Sequence, residues 1–250
     1  MVTIGITTFR ERFESHLKPL VRQLKGHPAI IAVNAHNQDG LDDNYRKEMM
    51  RFLVQHDNVS AIFYQQMRGC AKMWNDLVIH SPTEDILIIN DDVHIENIEY
   101  LMGDVDSAIK AFDGKPIYVL NGSWSHFLTS KRRMIDIGWF DERLLGFGEE
   151  DGDMVFRYIE KYGQYPMFLK TLFIKNISSD IRDESVKKGV LKYTAFNRQF
   201  MGFADNAKFG KYKSDRTGIR GMFHEPMRNL IPNAIQYPYE EFFMNNRENL

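Results

Sequence analysis

Asp85-Ile86-Leu87-Ile88-Ile89-Asn90-Asp91-Asp92 is a run of four aliphatic residues that ends abruptly in carboxylates. A short apolar run closed by turn-forming residues reads as a buried strand. A strand that delivers acids at its C-terminal end suits a hard cation, Mg2+ or Mn2+. Such an ion prefers oxygen ligands and keeps waters and substrate phosphates in its shell. The alternative is that Asp91 and Asp92 open a turn and cap the next helix. Asp92-Val93-His94 could itself ligate metal in an Asp-x-His register, or His94 could be an ordinary surface residue.

Upstream of this strand the pattern alternates. Val2 to Thr8, Ala29 to Val33 and Val59 to Tyr64 read as strands. Phe13, Leu17, Leu20, Val21 and Leu24 recur at helical spacing, and Leu41 to His56 and Gly69 to His80 read as helices. The alternation predicts an α/β fold, a mixed and mostly parallel sheet flanked by helices. Such sheets bind ligands beyond the carboxyl ends of their strands. The turns after Thr8, Val33, Tyr64 and Asn90 should therefore share one rim. Downstream the expected elements are a helix from Ile98 to Phe112 and strands at Pro116 to Leu120 and Phe127 to Ser130. A helix from Glu150 to Tyr162, a strand from Met167 to Ile174 and a helix from Ser185 to Phe200 follow.

A second acidic cluster, Gly146-Phe147-Gly148-Glu149-Glu150-Asp151-Gly152-Asp153, opens the helix expected at Glu150. Its carboxylates repel one another unless something compensates them. Acids at a helix N-terminus are favoured by its dipole, so solvated charges at a helix start are one reading. The other makes Asp151 a general base that takes a proton from an acceptor hydroxyl. Glu150 then orients the acceptor and Asp153 braces the helix start. Gly146 and Gly148 let backbone pass close to a ligand.

The chain has 250 residues, 43% of them hydrophobic, enough for one substantial core. A net charge of -2 supplies no field that calls for nucleic acid. The single cysteine, Cys70, excludes an internal disulfide and a multi-cysteine metal site. No apolar run approaches the ~20 residues needed to span a bilayer, and the N-terminus lacks the pattern of a signal peptide. The expectation is a cytoplasmic protein, or one held peripherally at the inner membrane face.

Taken in order, these segments resemble the GT-A glycosyltransferases, especially the family-2 group. Val2-Thr3-Ile4-Gly5-Ile6-Thr7-Thr8-Phe9-Arg10 is similar to that group's opening strand and nucleotide-binding turn. Met67-Arg68-Gly69-Cys70-Ala71-Lys72-Met73-Trp74-Asn75 is similar to its Asn-x-Gly helix start, and Ile88-Ile89-Asn90-Asp91-Asp92-Val93 to its Asp-x-Asp strand end. Gly138-Trp139-Phe140-Asp141-Glu142, followed by Gly148-Glu149-Glu150-Asp151-Gly152-Asp153-Met154-Val155-Phe156-Arg157, resembles the acceptor-side Glu-Asp segment of family-2 enzymes and of β-1,4-galactosyltransferases.

The resemblance covers residues 1 to about 180. It implies a GT-A domain with a nucleotide-binding half to about residue 95 and an acceptor half beyond it, followed by an extension over 181–250. It also implies metal-dependent, inverting transfer of a hexose from a nucleotide diphosphate sugar, with UDP expected, to a carbohydrate, lipid-linked or protein hydroxyl. Asp92 would hold Mn2+ or Mg2+, with Asn90 or Asp91 assisting, and Asp151 would be the base. Thr8, Arg10, Asp39, Arg68 and Asp91 are candidates for donor contacts. Three departures stand out. Thr7 replaces the usual Pro, and Asn34-Ala35 stand where two acids are common, which leaves the base-contacting residue open. The late metal-binding His would fall near Lys175-Asn176-Ile177, which contains none; His224 could take that role or be a surface residue.

Trp124 and Trp139 are candidates for stacking on an acceptor sugar, or core residues. The basic, aromatic segment 208–228 reads as a loop over the diphosphate, a patch for an anionic acceptor or membrane surface, or a solvated segment. Two further functions keep the same fold: a nucleotidyltransferase acting on a sugar phosphate, and a non-catalytic nucleotide-sugar-binding module. Thr7-Thr8-Phe9-Arg10-Glu11-Arg12 lacks the glycines expected of the former.

Overall fold

The computed structural model describes residues 1–9, 12–35, 41–111, 117–144, 146–177 and 197–198, and the backbone alone at 212–214 and 221–223. Contacts divide the chain into two compact units. The first comprises residues 1–68, 73–136 and 166–180; the second comprises 69–72, 137–165 and 181–250. The domain boundary expected near residue 180 lies outside the described residues.

The first unit is built on a seven-stranded sheet of order β3-β2-β1-β4-β7-β6-β8. Its parallel half is β1 (Thr3–Thr8), β2 (Ala29–Val33), β3 (Val59–Phe63) and β4 (Asp85–Asn90). Parallel neighbours need crossovers, and here helices supply them. These are a π-helical turn at Phe13–Leu17 running into α1 (Lys18–Gln23), then α2 (Asp43–Leu53) and α3 (Cys70–His80). The helical spacing foreseen after β1 is realised, since Phe13, Leu17, Leu20, Val21 and Leu24 are all buried. The second of these helices starts at Asp43 because the Asp42 side chain caps it, accepting the Tyr45 N–H at 2.8 Å.

Ile86, Leu87, Ile88 and Ile89 on β4 are fully buried, as a strand flanked on both sides and covered on both faces requires. The expected rim is real. Asn34 N–H bonds the Thr8 carbonyl at 3.0 Å, and Tyr64 N–H bonds the Val33 carbonyl at 3.0 Å. The turns leaving β1, β2 and β3 therefore continue the ladder side by side.

Past β4 the chain forms β5 (Val93–Ile95), α4 (Ile98–Ala111), β6 (Tyr118–Leu120), β7 (Ser123–Ser130) and α5 (Lys131–Ile137). Strand β7 is twice as long as the stretch predicted from Phe127. The reason is Asn121-Gly122, whose φ values of 50° and 74° make a two-residue hairpin that pairs Leu120 with Ser123. After α6 (Glu150–Tyr162) of the second unit, the strand expected at Met167 to Ile174 proves to be two. Strand β8 (Met167–Leu169) joins the main sheet beside β6, while β9 (Ile174–Asn176) pairs with β5 in a separate ribbon. Asn121 organises the switch: its Oδ1 accepts the Thr171 N–H at 2.9 Å, and its own N–H donates to the Leu169 carbonyl at 2.9 Å.

A second small ribbon, β10 (Tyr212–Ser214) with β11 (Gly221–Phe223), lies within the basic segment 208–228, where only backbone is described. The helix expected at Ser185 to Phe200 falls outside the described residues apart from Asn197 and Arg198. Among the described residues no helix is long and apolar enough to cross a membrane.

Because β4 carries the core of the sheet, Ile88→Ala should cost about 2–5 kcal/mol, read as a drop in the urea midpoint at unchanged m-value.

Candidate functional site

Strand β4 ends at the carboxyl rim beside β1, with Thr7 paired to Asn90. The Thr7 hydroxyl donates to Asn90 Oδ1 at 3.0 Å. Thr8, fully buried, donates its hydroxyl to Asp91 Oδ2 at 2.7 Å. The other oxygen of Asp91 accepts from Arg12 NH1 at 2.9 Å. Asp91 is thus turned inward, 1% exposed, with both oxygens engaged. Asp92 differs. Its side chain is 22% exposed, and its Oδ2 lies 3.1 Å from the same Arg12 nitrogen. Burial opposes the charge on Arg12, but Asp91 and then Asp92 outweigh it and hold the guanidinium more firmly protonated than usual.

Asp92 has neighbours that the sequence did not single out. Its carbonyl accepts the Ile177 N–H at 2.8 Å, and the following residue, Val93, pairs with Asn176. The Asn176 Oδ1 is bonded by Nε2 of His126, a 3% exposed residue on β7. Burial lowers the His126 pKa and so favours the neutral ring, while the Asp92 charge acts in the opposite sense. His94 is exposed, and its Nδ1 meets Gln23 Nε2 at 2.9 Å. Asn34 clamps the backbone of Arg68: Nδ2 donates to the Arg68 carbonyl and Oδ1 accepts the Arg68 N–H, both at 2.8 Å. Trp124 is half-buried, its ring 5.9 Å from that of Phe127. Arg10, Asp39 and His224 lie outside the described residues.

In the second unit, Gly69 comes so close to another backbone that a Cβ there would meet the Leu144 carbonyl oxygen at 2.8 Å, and Cys70 N–H bonds the Gly146 carbonyl at 2.8 Å. Trp139 is 7% exposed, so its ring offers little free surface. Asp141, fully buried, is held by Arg143 through Nε at 2.9 Å and NH2 at 3.0 Å. Gly146 and Gly148 have φ of 56° and 101°, and Glu149, at 76°, is a non-glycine residue in the same left-handed region. These conformations bend the chain into the start of α6, and the one at Glu149 carries strain.

The four clustered acids are disposed of separately. Glu149 pairs with Arg198 at 2.7 Å. Asp153, fully buried, takes both Nε and NH2 of Arg157, whose NH1 reaches the carbonyls of Gly138 and Ile137 at 2.8 and 3.3 Å. The Glu150 pKa is pushed up to about 8, first by burial and second by the charge of Asp151. That leaves Asp151, half-buried, which accepts the Gly152 N–H at 2.8 Å and forms no ion pair among the described residues.

A hard divalent cation can be held by one or two carboxylates, with phosphate and water supplying the rest. Asp92 is the more exposed of the two carboxylates, while each oxygen of the buried Asp91 already accepts one hydrogen bond. Among the described residues no group of three His, Cys, Asp or Glu side chains is set to hold an ion. An ion at Asp92 would therefore draw its remaining ligands from elsewhere.

At neutral pH Glu150 keeps its proton in the folded chain and loses it in the unfolded one, so stability falls as pH rises from about 4.5 towards 8. Glu150→Gln should remove that slope. The variant should match the parent near pH 4 and exceed it by on the order of a few kcal/mol at pH 8, measured by urea unfolding across that range. Arg157→Met strands the buried Asp153 carboxylate and should cost about 3–5 kcal/mol in the same assay.

No protein-family model matches the chain, and no curated protein matches its sequence. Solved structures do match. The mannosyltransferase PcManGT of Pyrobaculum calidifontis, in complex with GDP-Man and Mn2+, superposes with a TM-score of 0.57 at 12% identity, over 79% of this chain and 63% of the other. Glucosyl-3-phosphoglycerate synthase of Mycobacterium tuberculosis, in complex with Mn2+, UDP and glucosyl-3-phosphoglycerate, gives 0.52 at 10% identity, over 79% of each. GalNAc-T7 with UDP, GalNAc and Mn2+ gives 0.52 at 7% identity, over 81% of this chain and 50% of the other. This chain spans less than two thirds of the mannosyltransferase and half of GalNAc-T7. At such identities the likeness is one of fold: a mixed, mostly parallel seven-stranded sheet flanked by helices, the GT-A fold.

Proposed function

We propose that this chain is a glycosyltransferase that moves a sugar from a nucleotide diphosphate donor to a hydroxyl acceptor, with Mn2+ or Mg2+ at Asp92. The observation that carries the reading is the end of β4. A fully buried aliphatic strand of a GT-A sheet terminates in one carboxylate locked inward, Asp91, and one partly exposed, Asp92. Ligands of such sheets gather beyond those strand ends. The three structures named above are in complex with UDP or GDP-Man, and with Mn2+.

The chemistry assigned to the chain's own residues is as follows. Thr7 and Thr8 fix Asn90 and Asp91, so Asp92 is presented from a rigid strand end. A metal bound there supplies charge stabilisation for the departing nucleoside diphosphate. Asn34 holds the Arg68 backbone, which keeps Arg68 on the same rim for the donor. Asp151 is the general base: among the four clustered acids Glu149 and Asp153 are paired with arginines and Glu150 is buried, whereas Asp151 is half-buried and forms no ion pair among the described residues. It removes the proton of the acceptor hydroxyl as that oxygen attacks the anomeric carbon, which gives inversion. Glu150, protonated at neutral pH, donates a hydrogen bond that orients the acceptor.

UDP-sugars are the first donors to test, with GDP-sugars beside them. In the presence of Mn2+, nucleoside diphosphate release should be detectable from at least one donor even without acceptor. Asp151→Asn should cut turnover by about 10²–10⁴-fold while leaving donor binding in place, as judged by thermal shift. Asp92→Asn should abolish the metal requirement together with turnover. Binding that is indifferent to Mn2+, with no release from any donor, would sink the proposal in favour of a binding module.

A further inference from the structure

A single nitrogen, Arg12 NH1, touches both carboxylates at the end of β4, at 2.9 Å from Asp91 and 3.1 Å from Asp92. The two contacts differ in kind. Asp91 is 1% exposed and also bonded by Thr8, so it forms a fixed anchor for the guanidinium. Asp92 is 22% exposed and Arg12 itself 28% exposed, so their contact lies at the surface of the rim and can be exchanged. Any cation that binds Asp92 shares that carboxylate with a guanidinium already beside it. Like charges at that range repel. A diphosphate changes the balance, because its oxygens accept from a guanidinium and a metal at once.

We propose that Arg12 makes metal and donor binding mutually dependent: it occupies Asp92 in the donor-free protein and turns to the donor diphosphate when nucleotide and metal enter together. This rests on the functional reading above and adds the regulation of that site. Arg12 stays tethered to Asp91 throughout, so the exchange needs only a side-chain movement. In the donor-free chain the metal site is held closed by a cation of its own, which discourages idle metal uptake. Once the diphosphate arrives, the same cation contributes to donor affinity.

The test is calorimetric titration of Mn2+ into the full chain and into Arg12→Gln, first without nucleotide and then with UDP or GDP present. Removal of Arg12 should tighten nucleotide-free Mn2+ binding by at least ~5-fold, the lower end of usual coupling between sites, and weaken nucleotide binding in the presence of Mn2+ by about tenfold. The tightening should disappear in Arg12→Gln combined with Asp92→Asn. Arg12→Gln could unfold by leaving Asp91 uncompensated; Arg12→Gln with Asp91→Asn removes that buried charge and keeps the readout. Unchanged or weaker nucleotide-free Mn2+ binding in these variants overturns the inference. If the parent chain nevertheless binds Mn2+ and nucleotide through Asp92, the functional reading survives that result. If no variant and no nucleotide gives Asp92-dependent Mn2+ uptake, both fall.

Discussion

The parallel ladder from Thr3↔Ile86 to Thr7↔Asn90 holds β1 against β4 and sets the position of everything at the carboxyl rim. It aligns the last residues of the two strands, so Thr7 meets Asn90 and Thr8 meets Asp91 without any long side chain having to search for a partner. Such pairing works only because both strands are buried along their length, which fixes their register. A slip by one residue would carry Asn90 and Asp91 away from the hydroxyls of Thr7 and Thr8.

The chain handles its clustered acids in two ways. At the end of β4 a buried carboxylate is satisfied by a hydroxyl and a guanidinium, and its neighbour remains at the surface. At the start of α6, two acids are neutralised by arginines, one is buried and keeps its proton, and Asp151 forms no ion pair among the described residues. In both places the compensation is selective. Asp92 stays partly exposed while touching Arg12, and Asp151 stays partly exposed with no ion pair among the described residues. The arginines that supply this compensation are Arg12 at the end of β4 and Arg157 and Arg198 at the start of α6.

Much of this was legible in the residues. The four parallel strands, the bounds of β4 and α6 and the inner face of the first helix followed from apolar period and from turn residues. The hairpin at Asn121-Gly122 had a recognisable signal that went unused, and β7 was shortened as a result. The division of the Met167 to Ile174 stretch was not legible. Its apolar pattern continues through the break, and what separates β8 from β9 is a tertiary contact with Asn121. Arg12 and His126 are not legible for the same reason: the second of two arginines after β1 and a lone His in a strand declare nothing until the fold brings them to Asp91 and Asn176. Thr8, a candidate donor contact, and Trp139, a candidate for sugar stacking or for the core, are both buried.

Asn121 carries a liability along with its usefulness. An asparagine followed by glycine is among the chemically labile sites of a protein, and here both residues are solvent-exposed. Loss of the side-chain amide would leave an oxygen for the Thr171 N–H but remove the Nδ2 donor that faces the Ile174 carbonyl at 3.4 Å. Ageing of one peptide unit would therefore be felt where the chain leaves the sheet edge for the ribbon that flanks Asp92.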